Sequence, residues 1–99
     1  MSTPASLIAD REVLYFIYGD GCAACEAAKP EFETFMSKHP RLMSLTINAA
    51  GPHPERLGLK VKATPTYFFR RGQEGVVYVG VMRATEIERW LKKLGSTSL

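Results

Sequence analysis

The apolar positions of this chain follow two spacings, one typical of strands and one typical of helices. Residues 12–18 contain a continuous apolar run, VLYFIY, rich in β-branched and aromatic residues, which predicts a strand covered on both faces. Residues 42–48 alternate apolar with smaller or polar side chains and predict a second strand. The runs TYFFR at 66–70 and VVYVGV at 76–81 predict two more, joined by a glycine-containing hairpin turn at 71–75.

A long helix is predicted from Cys22 to about His39, because Phe32, Phe35 and Met36 recur on one face at helical spacing. Pro30 lies inside this segment. A proline there removes a backbone hydrogen bond, so the helix is expected to kink near its middle. The helix follows the first strand after only three residues.

Shorter helical segments complete the pattern. A Thr-Pro pair predicts a short helix over residues 3–9, residues 54–59 are expected to form one or two helical turns, and an apolar stripe predicts a last helix over 84–94. The final residues, 95–99, are expected to form a frayed tail. The order β-α-β-α-β-β-α predicts an α/β fold, with a four-stranded mixed sheet flanked by helices. The right-handed crossover rule makes its first two strands parallel neighbours.

The composition is that of a soluble globular protein, with 45% hydrophobic and 23% charged residues among 99. This length accommodates a single domain, residues 1–99, which we expect to be a monomer. No apolar run approaches the ~20 residues that span a bilayer, and the first ten residues lack the basic and apolar segments of a secretory signal. The sequence therefore predicts no membrane partner and a cytoplasmic location.

Charge is distributed unevenly along the chain. Residues 1–40 carry three Lys or Arg and six Asp or Glu, whereas residues 41–99 carry ten and four, so the net charges are −3 and +6. The basic residues are scattered over several predicted elements, which favours solvated faces over a nucleic-acid surface. The sequence therefore does not predict a nucleic-acid partner, and the excess charge gives acidic partners only a weak preference.

Both cysteines lie in the stretch GDGCAACEAAKP, where the first strand turns into the long helix. Unpaired N–H groups and the helix dipole favour negative charge there, so the pKa of Cys22 is expected to lie below the usual value of about 8.5. The spacing of three residues lets the sulfur of Cys25 reach it without backbone movement. Cys25, one turn further into the helix, is expected to be more buried and less acidic. Thiolate Cys22 can then attack a disulfide, and Cys25 can resolve the mixed disulfide. Ala23 and Ala24 leave Cys22 accessible.

Two other interpretations of the cysteine pair remain open. A zinc site needs four ligands, and the other soft ligands, His39 and His53, lack finger-like spacing. We therefore expect no metal and no other cofactor. The cysteines could also be small core residues, since free cysteine is often buried. The strand–turn–helix context favours the redox interpretation over both.

At this point the chain resembles the thioredoxin superfamily. CAAC after a strand matches that family's Cys-x-x-Cys motif, and Pro30, five residues past the second cysteine, matches its helix-kinking proline. The segment ATPT at 63–66 is similar to the one that carries the family's cis-proline. The sequence RRGQ at 70–73 matches its hairpin turn, and Gly80 matches a glycine late in its last strand. The resemblance covers residues 13–94.

The resemblance implies a thioredoxin-like fold and a thiol–disulfide oxidoreductase that reduces protein disulfides, with a reductase or glutathione system as electron donor. It implies that Pro65 is cis and lies against the cysteine pair, and that the backbone of Thr64 can pair with an extended substrate chain. Gly21 and Ala23 suit contact with a bound partner, whether that partner is the substrate of an oxidoreductase or the ligand of a binding module. The alternative is a non-catalytic binding module that uses the same groove around Cys22 and Pro65.

The chain departs from the family at the residues that would take up the proton of the second cysteine, Cys25. The family's buried aspartate, which accepts that proton, aligns with Phe16, and its lysine on the neighbouring strand aligns with about Ser44. Cys25 is therefore expected to lose its proton to water, or to Asp20 or Glu26 if either reaches the pair. The family's tryptophan before the motif and its N-terminal strand are not found either.

Overall fold

The predicted order of elements is confirmed in a computed structural model, which describes residues 11–99. The helix predicted over residues 3–9 lies outside the described residues. In chain order the elements are β1 (Glu12–Tyr18), α1 (Ala23–Lys38), β2 (Met43–Asn48), α2 (His53–Arg56), β3 (Thr66–Arg71), β4 (Glu74–Val79) and α3 (Ala84–Lys93).

The last hairpin differs most from its prediction. Only Gly72 and Gln73 separate the paired strands, so β4 begins at Glu74, two residues earlier than expected. Gly72 has a φ of +60°, a conformation that glycine adopts without steric cost. Gly80, with a φ of +125°, follows the end of the strand. A tight two-residue turn therefore replaces the predicted five-residue one.

The four strands form one mixed sheet in the order β2-β1-β3-β4. β1 runs parallel to β2 and antiparallel to β3, which in turn is antiparallel to β4. The parallel pairing of the first two strands agrees with the crossover rule. β1 therefore lies in the interior of the sheet, as its continuous apolar run predicts.

The helices α1 and α3 pack together on one face of the sheet. The core that they share with β1 and β3 includes Leu14, Phe16, Ala28, Phe32, Phe35, Tyr67, Phe69, Ile87 and Leu91. Glu31 of α1 accepts a hydrogen bond from the backbone N–H of Ala84 at 2.8 Å, which satisfies an unpaired donor at the start of α3. None of the helices in residues 11–99 is long and apolar enough to cross a membrane.

The C-terminal residues are anchored to β1, so the prediction of a frayed tail is wrong. The Glu12 side chain is 1% exposed. Its carboxylate accepts hydrogen bonds from the Ser96 hydroxyl at 2.7 Å, the Thr97 N–H at 2.9 Å and the Ser98 N–H at 3.2 Å, and pairs with Arg71 at 3.0 Å. A buried carboxylate needs such partners to offset its lost hydration, and the tail supplies most of them.

These contacts set the titration of Glu12. Burial by itself raises the pKa of Glu12, but the hydrogen bonds from Ser96, Thr97, Arg71 and Ser98 together outweigh it and lower the pKa to about 2 from an ordinary 4.5. A depressed folded-state pKa stabilises the native protein above the unfolded-state value. This stability is lost as the pH falls from about 4.5 through about 2.

We therefore expect Glu12→Gln to lower the free energy of unfolding at pH 7 by about 3 kcal/mol, the equivalent of the pKa shift. The variant should also lose much of the wild type's destabilisation between pH 4.5 and 2, and urea denaturation across that range measures both effects. Glu33→Gln, on the exposed side of α1, is the control and should behave as the wild type. Equal acid sensitivity of the Glu12 variant and the wild type would contradict this account.

Candidate active site

Cys22 is the N-cap residue of α1, with φ −98° and ψ 103°. Its sulfur takes the place of a capping oxygen, because the backbone N–H of Cys25 donates to the Cys22 Sγ at 3.0 Å. Gly21 before it has a φ of +64° and is exposed. The turn from β1 into α1 thus directs a half-buried sulfur at the positive end of the helix, where negative charge is stabilised.

The two cysteines are joined by a disulfide bond, with Cα atoms 5.2 Å apart. Cys25 is 5% exposed, whereas Cys22 is half-buried and Ala23 beside it is exposed. The structure therefore agrees with the prediction that Cys25 is more buried than Cys22. The pair is capable of dithiol–disulfide chemistry, and Cys22 carries the more accessible sulfur.

The segment before β3 brings Thr64 to the sulfur of Cys22. The Thr64 hydroxyl donates to the Cys22 Sγ at 3.4 Å, and the Thr64 carbonyl oxygen lies 3.5 Å from the same atom. The Thr64–Pro65 peptide bond is cis. Pro65 itself is fully buried, and its carbonyl accepts from the Gly80 N–H at 3.0 Å. Thr64 rather than Pro65 therefore supplies the polar contacts with the cysteine.

A cavity of about 170 Å³ opens beside the buried cysteine. Phe16 forms part of its wall and is held there by stacking on Phe32, with ring centroids 4.9 Å apart. Thr46 is paired opposite Phe16 in the sheet register and lines the same cavity. Ser44, which aligns approximately with the family's lysine on this strand, is paired with Leu14 and is not one of the residues that line the cavity. The remaining lining residues are Tyr18, Gly19, Asp20, Gly21, Cys25, Glu26 and Lys29.

A wider, open groove of about 450 Å³ lies on the other side of Asp20 and includes Thr64 in its wall. Asn48 at the end of β2 donates to the Asp20 Oδ1 at 3.2 Å and accepts from the Ala50 N–H at 2.8 Å. Lys62 is exposed along the same groove. The groove is shallow, and its lining mixes polar and apolar residues. It ends next to the sulfur of Cys22, because Thr64 both lines the groove and contacts that sulfur.

The two histidines that could have completed a zinc site lie away from the cysteines. His39 follows the far end of α1, where its Nε2 pairs with Glu88 of α3 at 2.7 Å. His53 begins α2 and is exposed. In residues 11–99, no three His, Cys, Asp or Glu side chains are grouped so that they could hold a metal ion.

A four-stranded mixed sheet with a disulfide at the start of its first helix defines the thioredoxin class of fold. The model of the thioredoxin-like domain family matches residues 6–95, and the chain belongs to this family. Two curated relatives from Arabidopsis thaliana are "Thioredoxin-like 2-2, chloroplastic" and "Thioredoxin-like 1-2, chloroplastic". Each is 32% identical, over 67% and 69% of this chain respectively. The chain spans 28% of the length of each relative.

Solved structures agree on the fold. Thioredoxin f2 of Chlamydomonas reinhardtii superposes with a TM-score of 0.71 at 17% identity, covering 86% of this chain and 80% of the other. The thioredoxin of Fasciola hepatica gives a TM-score of 0.71 at 14% identity, covering 91% and 86%. At these identities the likeness shows the fold alone. Family membership and the disulfide-bonded pair together support a thiol–disulfide oxidoreductase at the level of the family.

The comparison overturns the predicted cytoplasmic location. Both curated relatives are named chloroplastic, which points away from the cytoplasm. The prediction relied on the first ten residues lacking a secretory signal. That reasoning fails, since such a signal is only one of several that direct a protein out of the cytoplasm.

Sequence reasoning missed the role of Gly19 in the site. A Cβ added at this position would lie 2.9 Å from the Thr64 Oγ1, closer than unstrained packing permits. The absence of a side chain at Gly19 is thus what allows the Thr64 hydroxyl to reach Cys22. A glycine ending a strand is an ordinary turn signal, so only the tertiary approach of Thr64 reveals this second function.

We expect Gly19→Ala to lower the free energy of unfolding by about 1–3 kcal/mol, the usual cost of overpacking. Because Thr64 is β-branched and stiff at χ1, its hydroxyl should be displaced from Cys22, and alkylation of the reduced protein at neutral pH should slow. Gly51→Ala is the control, since its Cβ would meet only the Asn48 carbonyl oxygen at 3.5 Å. If the two variants unfold and react alike, the close approach of Thr64 is not a constraint.

Proposed function

We propose that this protein reduces disulfide bonds of other proteins by dithiol–disulfide exchange, with Cys22 as the nucleophile and Cys25 as the resolving cysteine. The observation that carries the proposal is the position of the disulfide, with its accessible sulfur at the N-terminus of α1 and its second sulfur buried. A thiolate is the attacking species in such exchange, and this position stabilises one at Cys22.

The helix dipole and two hydrogen-bond donors support a negative charge on Cys22 in the reduced protein. The N-terminus of α1 contributes its dipole, the Cys25 N–H points at the sulfur from 3.0 Å, and the Thr64 hydroxyl points at it from 3.4 Å. Hydrogen bonds to an ionised group are stronger than those between neutral groups. The same contacts thus lower the pKa of Cys22 and keep it poised for attack at neutral pH.

The substrate would lie as an extended segment against Thr64. The shallow groove leads to this residue, and the exposed Gly21 and Ala23 border the sulfur from the helix side. Pro65, by its buried position before β3, holds the Thr64 backbone beside Cys22. A strand-like contact uses main-chain hydrogen bonds, which suits substrates of many sequences.

The exchange proceeds in two balanced steps. The Cys22 thiolate attacks one sulfur of the substrate disulfide, and the other sulfur leaves as a thiolate and takes up a proton. Cys25 then loses its proton and attacks the Cys22 Sγ, which releases the second substrate sulfur. The substrate gains two electrons and the protein returns to the disulfide form. We propose that a reductase or glutathione system then reduces the pair, and that residues 1–99 act as a monomeric single domain.

The cysteine roles are tested by replacing each in turn. We expect Cys22→Ser to abolish reduction of a disulfide-linked model protein. Cys25→Ser should form a stable mixed disulfide with that substrate through Cys22, because no resolving thiol remains. Mass spectrometry under non-reducing conditions distinguishes the two variants. Trapping through Cys25 in the Cys22 variant would reverse the proposed roles.

The alternative binding module is tested with the double variant Cys22→Ser, Cys25→Ser. Loss of the reductase reaction together with loss of the cellular role supports the oxidoreductase, whereas a retained role means that the chemistry is incidental. The direction of electron flow is read from the reduction potential of the pair in glutathione and dithiothreitol buffers. We expect a value nearer the −270 mV of thioredoxin than the −120 mV of DsbA, on the scale of about 150 mV that separates them.

A further inference from the structure

The resolving step requires Cys25 to ionise, although the surroundings of its sulfur disfavour the thiolate. Cys25 is 5% exposed, and Phe16, itself 1% exposed, stands in the wall of the adjacent cavity. Burial beside apolar groups raises the pKa of a thiol. The side chain of Phe16 can neither accept a proton nor carry charge, so ionisation of Cys25 needs help from another group.

Lys29 lies one helical turn beyond Cys25 on α1. Side chains four residues apart share one face of a helix, with Cβ atoms about 5–6 Å apart. Lys29 and Cys25 also line the same cavity of about 170 Å³, which has room for several water molecules. Within residues 11–99, the ion pairs that form at 4 Å or less join other residues, so no carboxylate of that range is paired with the ammonium group.

We propose that Lys29 stabilises the Cys25 thiolate across the cavity, so that the resolving cysteine gives its proton to water instead of to a buried acid. This inference rests on the proposed function, because it concerns the second exchange step. The thiol of Cys25 loses its proton to cavity water, the thiolate attacks the Cys22 Sγ, and the bond from Cys22 to the substrate sulfur breaks. The substrate sulfur leaves with the electron pair and takes up a proton from solvent.

Other titratable groups face the same cavity and must be weighed against Lys29. These groups are Tyr18 of β1, Asp20 of the following turn and Glu26 of α1. Thr46 of β2 also lines the cavity but is uncharged. The carboxylates oppose a thiolate, but Asp20 is tethered towards β2 by its hydrogen bond from Asn48. Glu26 is exposed, as Lys29 is, and it lies next to Cys25 in sequence. Removing its negative charge should therefore shift the pKa of Cys25 in the direction opposite to the shift in Lys29→Gln.

The first experiment measures Cys25 alone. The chain has two cysteines, so in a Cys22→Ser background the thiolate absorbance near 240 nm titrates only Cys25. Lys29→Gln in this background should raise the pKa of Cys25 by about half a unit, the effect of one charge about 6 Å away at the dielectric constant of water. Lys38→Gln, the same charge change farther along α1, should leave it unchanged, and Glu26→Gln should lower it.

The second experiment measures the resolving step in the two-cysteine protein. Rapid mixing with a substrate disulfide should show release of the second thiol slowed about twofold by Lys29→Gln below the pKa of Cys25, with attack by Cys22 unaffected. Half a pH unit lowers the thiolate fraction about threefold, and the higher nucleophilicity of the more basic thiolate offsets part of that loss. Lys38→Gln should match the wild type in both steps, and raising the pH should restore the Lys29 variant.

Several results would overturn the inference. These are an unchanged Cys25 titration in Lys29→Gln, an equal shift in Lys38→Gln, or a shift in Glu26→Gln of the same sign as in Lys29→Gln. Circular dichroism of each variant excludes a folding defect as the cause of a shift. Failure of the proposed function looks different, because the wild type would then reduce no protein disulfide while the titration of Cys25 would still respond to Lys29.

Discussion

The antiparallel pairing of β1 with β3 is the constraint on which the candidate site depends. Ile17, near the end of β1, is paired with Thr66 at the start of β3. The residues that follow β1 and those that precede β3 must therefore meet at one edge of the sheet. Cys22 lies in the first segment and Thr64 in the second, 42 residues away in sequence. The contact between the Thr64 hydroxyl and the sulfur thus follows from strand register.

Most of this arrangement is predictable from local sequence. β1 and β3 are short apolar runs rich in aromatic residues, and α1 has a clear helical spacing of Phe32 and Phe35. The same signals place Cys22 at a strand-to-helix turn. The crossover rule supplies the parallel partner of β1. The fold and the relative exposure of the two cysteines follow from these features without knowledge of any distant contact.

Apart from the bounds of the last hairpin, the features that escaped prediction depend on contacts between residues distant in sequence. Glu12 looks like an ordinary charge at a strand end, and only its burial against Ser96 and Thr97 explains why the tail is ordered. Thr46 rather than Ser44 faces the cavity because register, not sequence spacing, pairs it with Phe16. A hydrogen-bond partner 85 residues away has no periodicity and no motif to indicate it.

In the proposed mechanism the two sulfurs have separate electrostatic requirements, which different groups fulfil. Cys22 needs a persistent negative charge, and backbone groups and a hydroxyl fixed within 3.4 Å provide for it without mobile side chains. Cys25 needs a charge only while it attacks, in a site where Phe16 excludes a buried acid. An ammonium group acting across the cavity suits this charge, because a weak attraction raises the ionised fraction of the Cys25 thiol by more than it lowers the nucleophilicity of the thiolate, which depends on the pKa with a Brønsted coefficient of about 0.4–0.5.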